Sequence, residues 1–333
     1  MKFGPVPLDD ALGKIVAHNI AGPNGRRLIR KGKTLTQEHL DALRGIGRSW
    51  VYIAELEPGD LDENSAARST AEAVIGSGLR LSNATLGRAN LLATTLGILR
   101  VDTQRLARIN QSESVTIATR TSQSVVRPGQ TVATIKVIPY AVEEAVISEV
   151  KAISGEGGPL LHVDELVPQP VSLIFSGSAS IREKLEAEFL PLSERVQALG
   201  SHVTSTDYVS LDNEGAEAEL AKTLMLRLAA GATLIILAGE TTIMDRQDIV
   251  PRAVERAGGW VERLGAPVDP GNLFMLAYIG DTPILGAPGC ARSRKANITD
   301  WVLPRLLAGD HLTNADIVAL GHGGLIEDAP KGQ

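Results

Sequence analysis

The sequence predicts an α/β protein: a C-terminal three-layer α/β/α domain with a mostly parallel sheet, preceded by a small α+β unit and a β-rich segment. Val171-Ser172-Leu173-Ile174-Phe175 and Thr233-Leu234-Ile235-Ile236-Leu237-Ala238 are near-continuous apolar runs, as in strands buried on both faces. Helical stretches alternate with these and later strands, which is the pattern of a parallel sheet covered by helices on both sides. Upstream, β-branched residues alternate in Val115-Thr116-Ile117-Ala118-Thr119 and again over residues 131–138, which favours strand over helix.

Taken in order, residues 1–64 form the small α+β unit and a linker. Gly25 to Gly32 reads as a short strand and turn. Thr36 fits a helix N-cap, and Leu40 and Leu43 share one face of the helix that follows. Gly45 or Gly47 ends that helix, and Trp50-Val51-Tyr52-Ile53 is the next strand. Residues 55–64, acidic and carrying Pro58 and Gly59, read as the linker. Residues 65–160 are the β-rich region, closed by the punctuating Ser154-Gly155-Glu156-Gly157-Gly158-Pro159. The third domain spans residues 168–333. After its first strand a helix is expected over 181–199, then a strand over 204–209, and a helix carrying Leu220, Leu224 and Leu228. A helix over 248–257, strands near 273–278 and 282–285, and a last helix over 297–307, kinked at Pro304, complete the pattern.

Composition narrows the function classes. A net charge of −6 and 3% aromatic residues argue against a general nucleic-acid binder, which needs many cations and stacking platforms. The single cysteine, Cys290, excludes an internal disulfide and a thiolate zinc site. The start of the chain has no apolar run of signal-peptide length, and the longest apolar stretches are strand-sized. A cytoplasmic protein that neither enters nor binds a membrane is expected.

Ligands of open α/β sheets bind beyond the carboxyl ends of the strands, and three loops fall there. Ser176-Gly177-Ser178-Ala179-Ser180 joins a strand to a helix start, and its backbone N–H groups would favour an anion; ordinary turn chemistry would use the same small residues. In Gly239-Glu240-Thr241-Thr242-Ile243-Met244-Asp245-Arg246-Gln247-Asp248, the carboxylates of Asp245 and Asp248 could hold Mg²⁺, a hard ion that prefers oxygen. Either could equally cap the following helix. In Pro288-Gly289-Cys290-Ala291-Arg292-Ser293-Arg294-Lys295, three cations beside a Pro-Gly turn in an acidic chain resemble an anion grip, against the alternative of a solvated basic turn. No histidine lies close in sequence to pair with Cys290 as a nucleophile.

Across residues 168–310 these pieces together resemble the molybdopterin-binding domain of molybdenum-cofactor biosynthesis. That domain is shared by molybdopterin adenylyltransferases and molybdenum insertases, gephyrin among them. Ser176-Gly177 resembles the family's Thr-Gly or Ser-Gly turn, and Asp212 falls at its acidic position before the second helix. Ala238-Gly239-Glu240 stands at its Gly-Gly turn, and Asp245 or Asp248 at the aspartate that follows. Val268-Asp269-Pro270-Gly271-Asn272 is similar to its Pro-Gly-Lys segment, and Leu285-Gly286-Ala287-Pro288-Gly289-Cys290 to its Leu-Pro-Gly-Asn-Pro turn. The sequence departs from the pattern at Glu240, which replaces a glycine, and at Cys290-Ala291-Arg292-Ser293. A branch of molybdopterin-binding proteins with this Pro-Gly-Cys-Ala-Arg-Ser turn is more similar, and Gly87-Arg88-Ala89-Asn90-Leu91 also resembles it; some of its members carry a cytidylyltransferase-like domain.

The resemblance implies molybdopterin or its nucleotide as ligand or substrate, with Mg²⁺ at Asp245 and Asp248. Phosphate would lie at Ser176, Gly177 and Ser178 and at Arg292 and Ser293. Gly239, Glu240, Thr241, Pro288, Gly289 and Cys290 would complete the binding loops, and Asp212, Asp245 and Asp248 would be catalytic. A homo-oligomer, and a cytidylyltransferase-type or molybdoenzyme partner, belong to the same reading. Two functions follow from it: metal-dependent cofactor maturation by molybdenum insertion or nucleotide transfer, or a carrier or sensor without turnover, which Glu240 favours. An unrelated phosphosugar or nucleotide α/β enzyme is the third reading.

Overall fold

In the computed structural model, which describes residues 1–326, the chain divides into two units. The first comprises residues 1–95, 99–122 and 126–163, and the second residues 96–98, 123–125 and 164 onward.

The second unit is built on six strands: Pro170–Gly177, His202–Ser210, Leu234–Gly239, Trp260–Leu264, Met275–Ile279 and Thr282–Gly286. In chain order their arrangement across the sheet is 2-1-3-6-5-4. The first strand runs parallel to the second and third, and the third parallel to the sixth. The fifth is antiparallel to both its neighbours. The pleat divides the first strand between two cores. Leu173 and Phe175 pack with Leu185, Phe189, Leu192 and Val302 on one face. Ile174 packs with Leu220, Leu224 and Val254 on the other. Both faces are thus sealed by helices, which is why the strand reads as an unbroken apolar run.

Helices Ala216–Ala229 and Ile249–Arg256 fall where the apolar spacing places them. The stretch over 181–199 differs: a 3₁₀ turn, Ala179–Ile181, leads into helix Arg182–Glu188, and a second helix, Leu190–Ala198, follows. Pro191 stands in the first turn of the second helix, where its missing N–H costs nothing; inside one continuous helix it would have broken a hydrogen bond. The last predicted helix starts at Thr299 and carries the buried Pro304 internally. A further helix, Asn314–Ala319, opens on a capping box between Thr313 and Asp316.

In the first unit, strands Lys2–Pro7, Trp50–Glu55 and Ile15–Val16 form an antiparallel sheet. Thr36 caps helix Gln37–Gly45, and Leu40 and Leu43 are buried on one face of it. Residues 55–64 are not bare linker: they contain strand Asp60–Asp62, and the Asp62 carboxylate accepts the amides of Asn64 and Ser65 to start helix Glu63–Val74. A four-stranded antiparallel sheet follows, in the order Val115–Thr119, Thr131–Val137, Arg88–Ala93 and Leu79–Leu81. Besides these strands the region carries helices Glu63–Val74, Thr103–Ile109 and Glu144–Ser154. Alanines at 66, 67 and 71 let the first of them lie close to the sheet, within the core formed by Ala89, Leu91, Ile135 and Val150.

Candidate functional site

The carboxyl ends of the parallel strands gather the three loops. Ser176 and Gly177 close the first strand and are buried, and the Ser176 carbonyl accepts the Glu240 amide at 2.8 Å. The first and third strands approach so closely that a Cβ at Gly177 would stand 2.9 Å from the Glu240 Cβ. One at Gly239 would stand 2.8 Å from the Thr241 carbonyl oxygen. These glycines are required by packing between loops.

The amides aimed beyond the first strand already hold anions, and both belong to the chain. Glu240 Oε2 accepts the Ser178 amide at 2.8 Å and the Ser178 hydroxyl at 2.9 Å. Asp212 Oδ2 accepts the Ala179 amide at 2.8 Å and the Ser210 hydroxyl at 2.9 Å. The Ser178 amide, followed by its hydroxyl, holds the Glu240 carboxyl below its ordinary pKa, and the Ala179 amide and then Ser210 do the same for Asp212. Tyr208, at the end of the second strand, donates its hydroxyl to the Ser178 carbonyl at 2.6 Å and fixes the turn from its other side.

Asp245 and Asp248 are committed to their own loop. Asp248 Oδ2 accepts the amides of Met244 at 2.6 Å and Asp245 at 3.0 Å, and Asp245 Oδ1 accepts the Gln247 amide at 2.8 Å. Asp248 occupies the N-cap position of helix Ile249–Arg256, yet its side chain turns back to the preceding loop instead of capping. Among the described residues no group of three or more His, Cys, Asp or Glu gathers as a metal site. As placed, the pair does not fit a preformed Mg²⁺ centre.

Arg292 is drawn inward. Its Nη2 donates to the carbonyls of Gly239 at 2.9 Å and Glu240 at 3.1 Å, its Nη1 lies 3.4 Å from Glu188, and the guanidinium stacks 4.8 Å over the Phe189 ring. Its Nε–H is buried and meets no acceptor among the described residues. Arg294 forms a two-pronged pair with Glu194 at 2.8 and 2.5 Å. Ser293 Oγ accepts the Lys295 amide at 3.1 Å. Pro288 is buried, Gly289 packs against Thr242, and Thr241 is exposed. Burial pushes the Cys290 thiol up, away from a reactive thiolate.

The structure thus brings together Ser176, Gly177, Ser178, Asp212, Gly239, Glu240 and Arg292, and leaves Asp245 and Asp248, further along the loop over residues 239–248, with separate partners. Tyr208, Glu188 and Phe189 escape a reading of the sequence. Only Tyr208 leaves a trace there, as a polar aromatic at a strand's carboxyl end; the other two are recognised only by what Arg292 does in space.

Residues 5–55 match a family described as a domain of unknown function, DUF8806. No curated protein matches the chain. Among solved structures, the molybdopterin biosynthesis MoeA protein from Pyrococcus horikosii is similar at 14% identity and a TM-score of 0.30, over 92% of this chain and 75% of that one. Molybdenum cofactor biosynthesis protein B is similar at 16% identity and a TM-score of 0.27, over 42% of this chain and 88% of that one. Likeness at this level assigns no activity. No helix of the described residues is long and apolar enough to cross a membrane.

Proposed function

We propose that the C-terminal unit binds molybdopterin or its nucleotide as a carrier or sensor, its phosphate taking the place of the chain's own carboxylates on the Ser178 and Ala179 amides. The observation that carries this reading is the pair of 2.8 Å hydrogen bonds from those amides to Glu240 and Asp212. They mark a position built for anionic oxygen, and in Glu240 they supply a competitor that a ligand must displace. The resemblance of the loops in order and spacing supports the pterin. The commitment of Asp245 and Asp248 to loop amides supports binding over metal-assisted turnover.

Anaerobic purification followed by fluorescence detection of oxidised pterin tests the ligand; no pterin in the preparation, and none taken up on incubation, favours the phosphosugar or nucleotide reading. The loaded protein is then incubated with molybdate, or with Mg²⁺ and nucleotide. Product formation returns the site to the enzyme reading. Glu240→Ala should tighten pterin binding by about tenfold, since it removes an anion that competes for the same donors.

A further inference from the structure

A cleft of about 870 Å³ opens in the first unit, lined among others by Phe3, His18, Lys31, Glu63, Leu86, Arg88 and Lys136. Among the described lining residues three side-chain cations meet one carboxylate there, in a chain of net charge −6. The Lys136 ammonium donates to the Leu86 carbonyl at 2.7 Å and lies 3.9 Å from Glu63 Oε2, so it keeps donor capacity to spare. Burial pushes Lys136 down and Glu63 up, so both are partly withdrawn from water. The lining also carries aromatic rings. The Phe3 ring meets His18 edge-on at 5.9 Å, and Phe3 remains half exposed.

The rim holds the most informative residue. Thr85 and Arg88 exchange backbone hydrogen bonds at 2.9 and 3.0 Å, closing a two-residue turn in which Leu86 has φ 51° and Gly87 φ 66°. Gly87 is explained: its position requires positive φ, and a Cβ there would stand 2.8 Å from Lys136 Nζ and 2.9 Å from Glu63 Oε2. The same turn requires positive φ at Leu86 as well, but it does not require a leucine there. A bulky side chain in left-handed backbone is strained, and at 77% exposure it gains almost no burial in return. Such strain points to function when it stands beside a cavity. Ile138, also 57% exposed, lines the same opening.

We propose that this cleft binds a small, flat organic anion, an aromatic body carrying one phosphate or carboxylate. Lys136, Arg88 and Lys31 take the anionic group, and Leu86 and Phe3 cover the ring. An apolar enclosure with a few convergent polar groups is the usual make-up of a small-molecule site.

Calorimetric titration of the full chain with 2-naphthyl phosphate, 2-naphthoate, neutral 2-naphthol and inorganic phosphate tests it. At least one naphthyl anion should bind with a Kd below about 1 mM, and about tenfold or more tighter than both controls. The stronger of the two tells phosphate from carboxylate. Arg88→Gln should weaken that binding about tenfold. Leu86→Gly should weaken it about fivefold while holding or raising Tm, because glycine accepts the turn without strain; a merely structural leucine would not separate affinity from stability in this way. No preference for an anion over 2-naphthol, or unchanged affinity in both variants, overturns the proposal.

Discussion

At the strand ends of the C-terminal unit most anion-seeking groups are already answered: two amides by Glu240 and Asp212, and the Nη atoms of Arg292 by two carbonyls and Glu188, its Nε–H alone being left over among the groups described for this site. Among the described lining residues of the first unit's cleft three side-chain cations face a single carboxylate, and the rim is strained and exposed. The first arrangement is stable without a ligand and makes a ligand compete for its place. The second leaves charge and apolar surface uncovered, so a ligand would gain from both. Satisfied hydrogen bonds stabilise a fold, and unsatisfied or strained groups are more often retained for what they bind.

The sharpest way to break this contrast is steric. Gly177→Val inserts atoms where Glu240 and Tyr208 already stand, and should cost about 2–3 kcal/mol by denaturant titration. A cost near zero would mean that Glu240 leaves the turn easily and that the site is open after all. Next in size, Asp248→Ala removes the acceptor of two amides and should cost about 1–2 kcal/mol. Asp248→Asn keeps a carbonyl oxygen there and should cost clearly less. If Asn were as damaging as Ala, the charge itself would matter, and the metal reading of this loop would regain ground.

Acid separates the two sites by sign. Glu240 and Asp212 have lowered pKa values in the folded protein, so their contribution is complete above the ordinary carboxylate range and lost as pH falls through the lowered values. Glu63 is raised, so its contribution is complete below the ordinary range and lost as pH rises through the raised value. Carboxyl shifts followed by NMR through an acid titration should show Glu63 protonating first; the reverse order would remove the distinction between the sites. The smallest effect is expected at Arg294→Ala. Its pair with Glu194 is exposed, so Tm should not move measurably. A clear loss would show that the basic turn is structural at Arg294 as well as at Arg292.

Much of the C-terminal fold is legible in the sequence because burial on both faces leaves a plain mark. Leu173, Ile174 and Phe175 must all be apolar, since neighbours in a strand face opposite cores. Thr36 is legible as a cap because capping is local. The helices of the first unit are harder to read. Glu63–Val74 is rich in alanine and polar residues, and its apolar stripe is thin because alanine suffices where helix and sheet lie close. The split at Pro191 could have been read from that proline alone.

By itself, then, the sequence determined the parallel strands of the sheet, its covering helices and the three loops that meet at the strand ends, because these follow from local periodicity and from the geometry of α/β sheets. Which groups in those loops are free was decided only by tertiary structure. Glu240 reaches Ser178 across 62 residues of chain, and Arg292 reaches Gly239 across 53. Long polar side chains can turn toward solvent, a ligand or a distant backbone amide, and only the packing around them selects among these. The cleft of the first unit is the same case, since Lys31, Glu63, Arg88 and Lys136 share no motif, and the fold alone makes them neighbours.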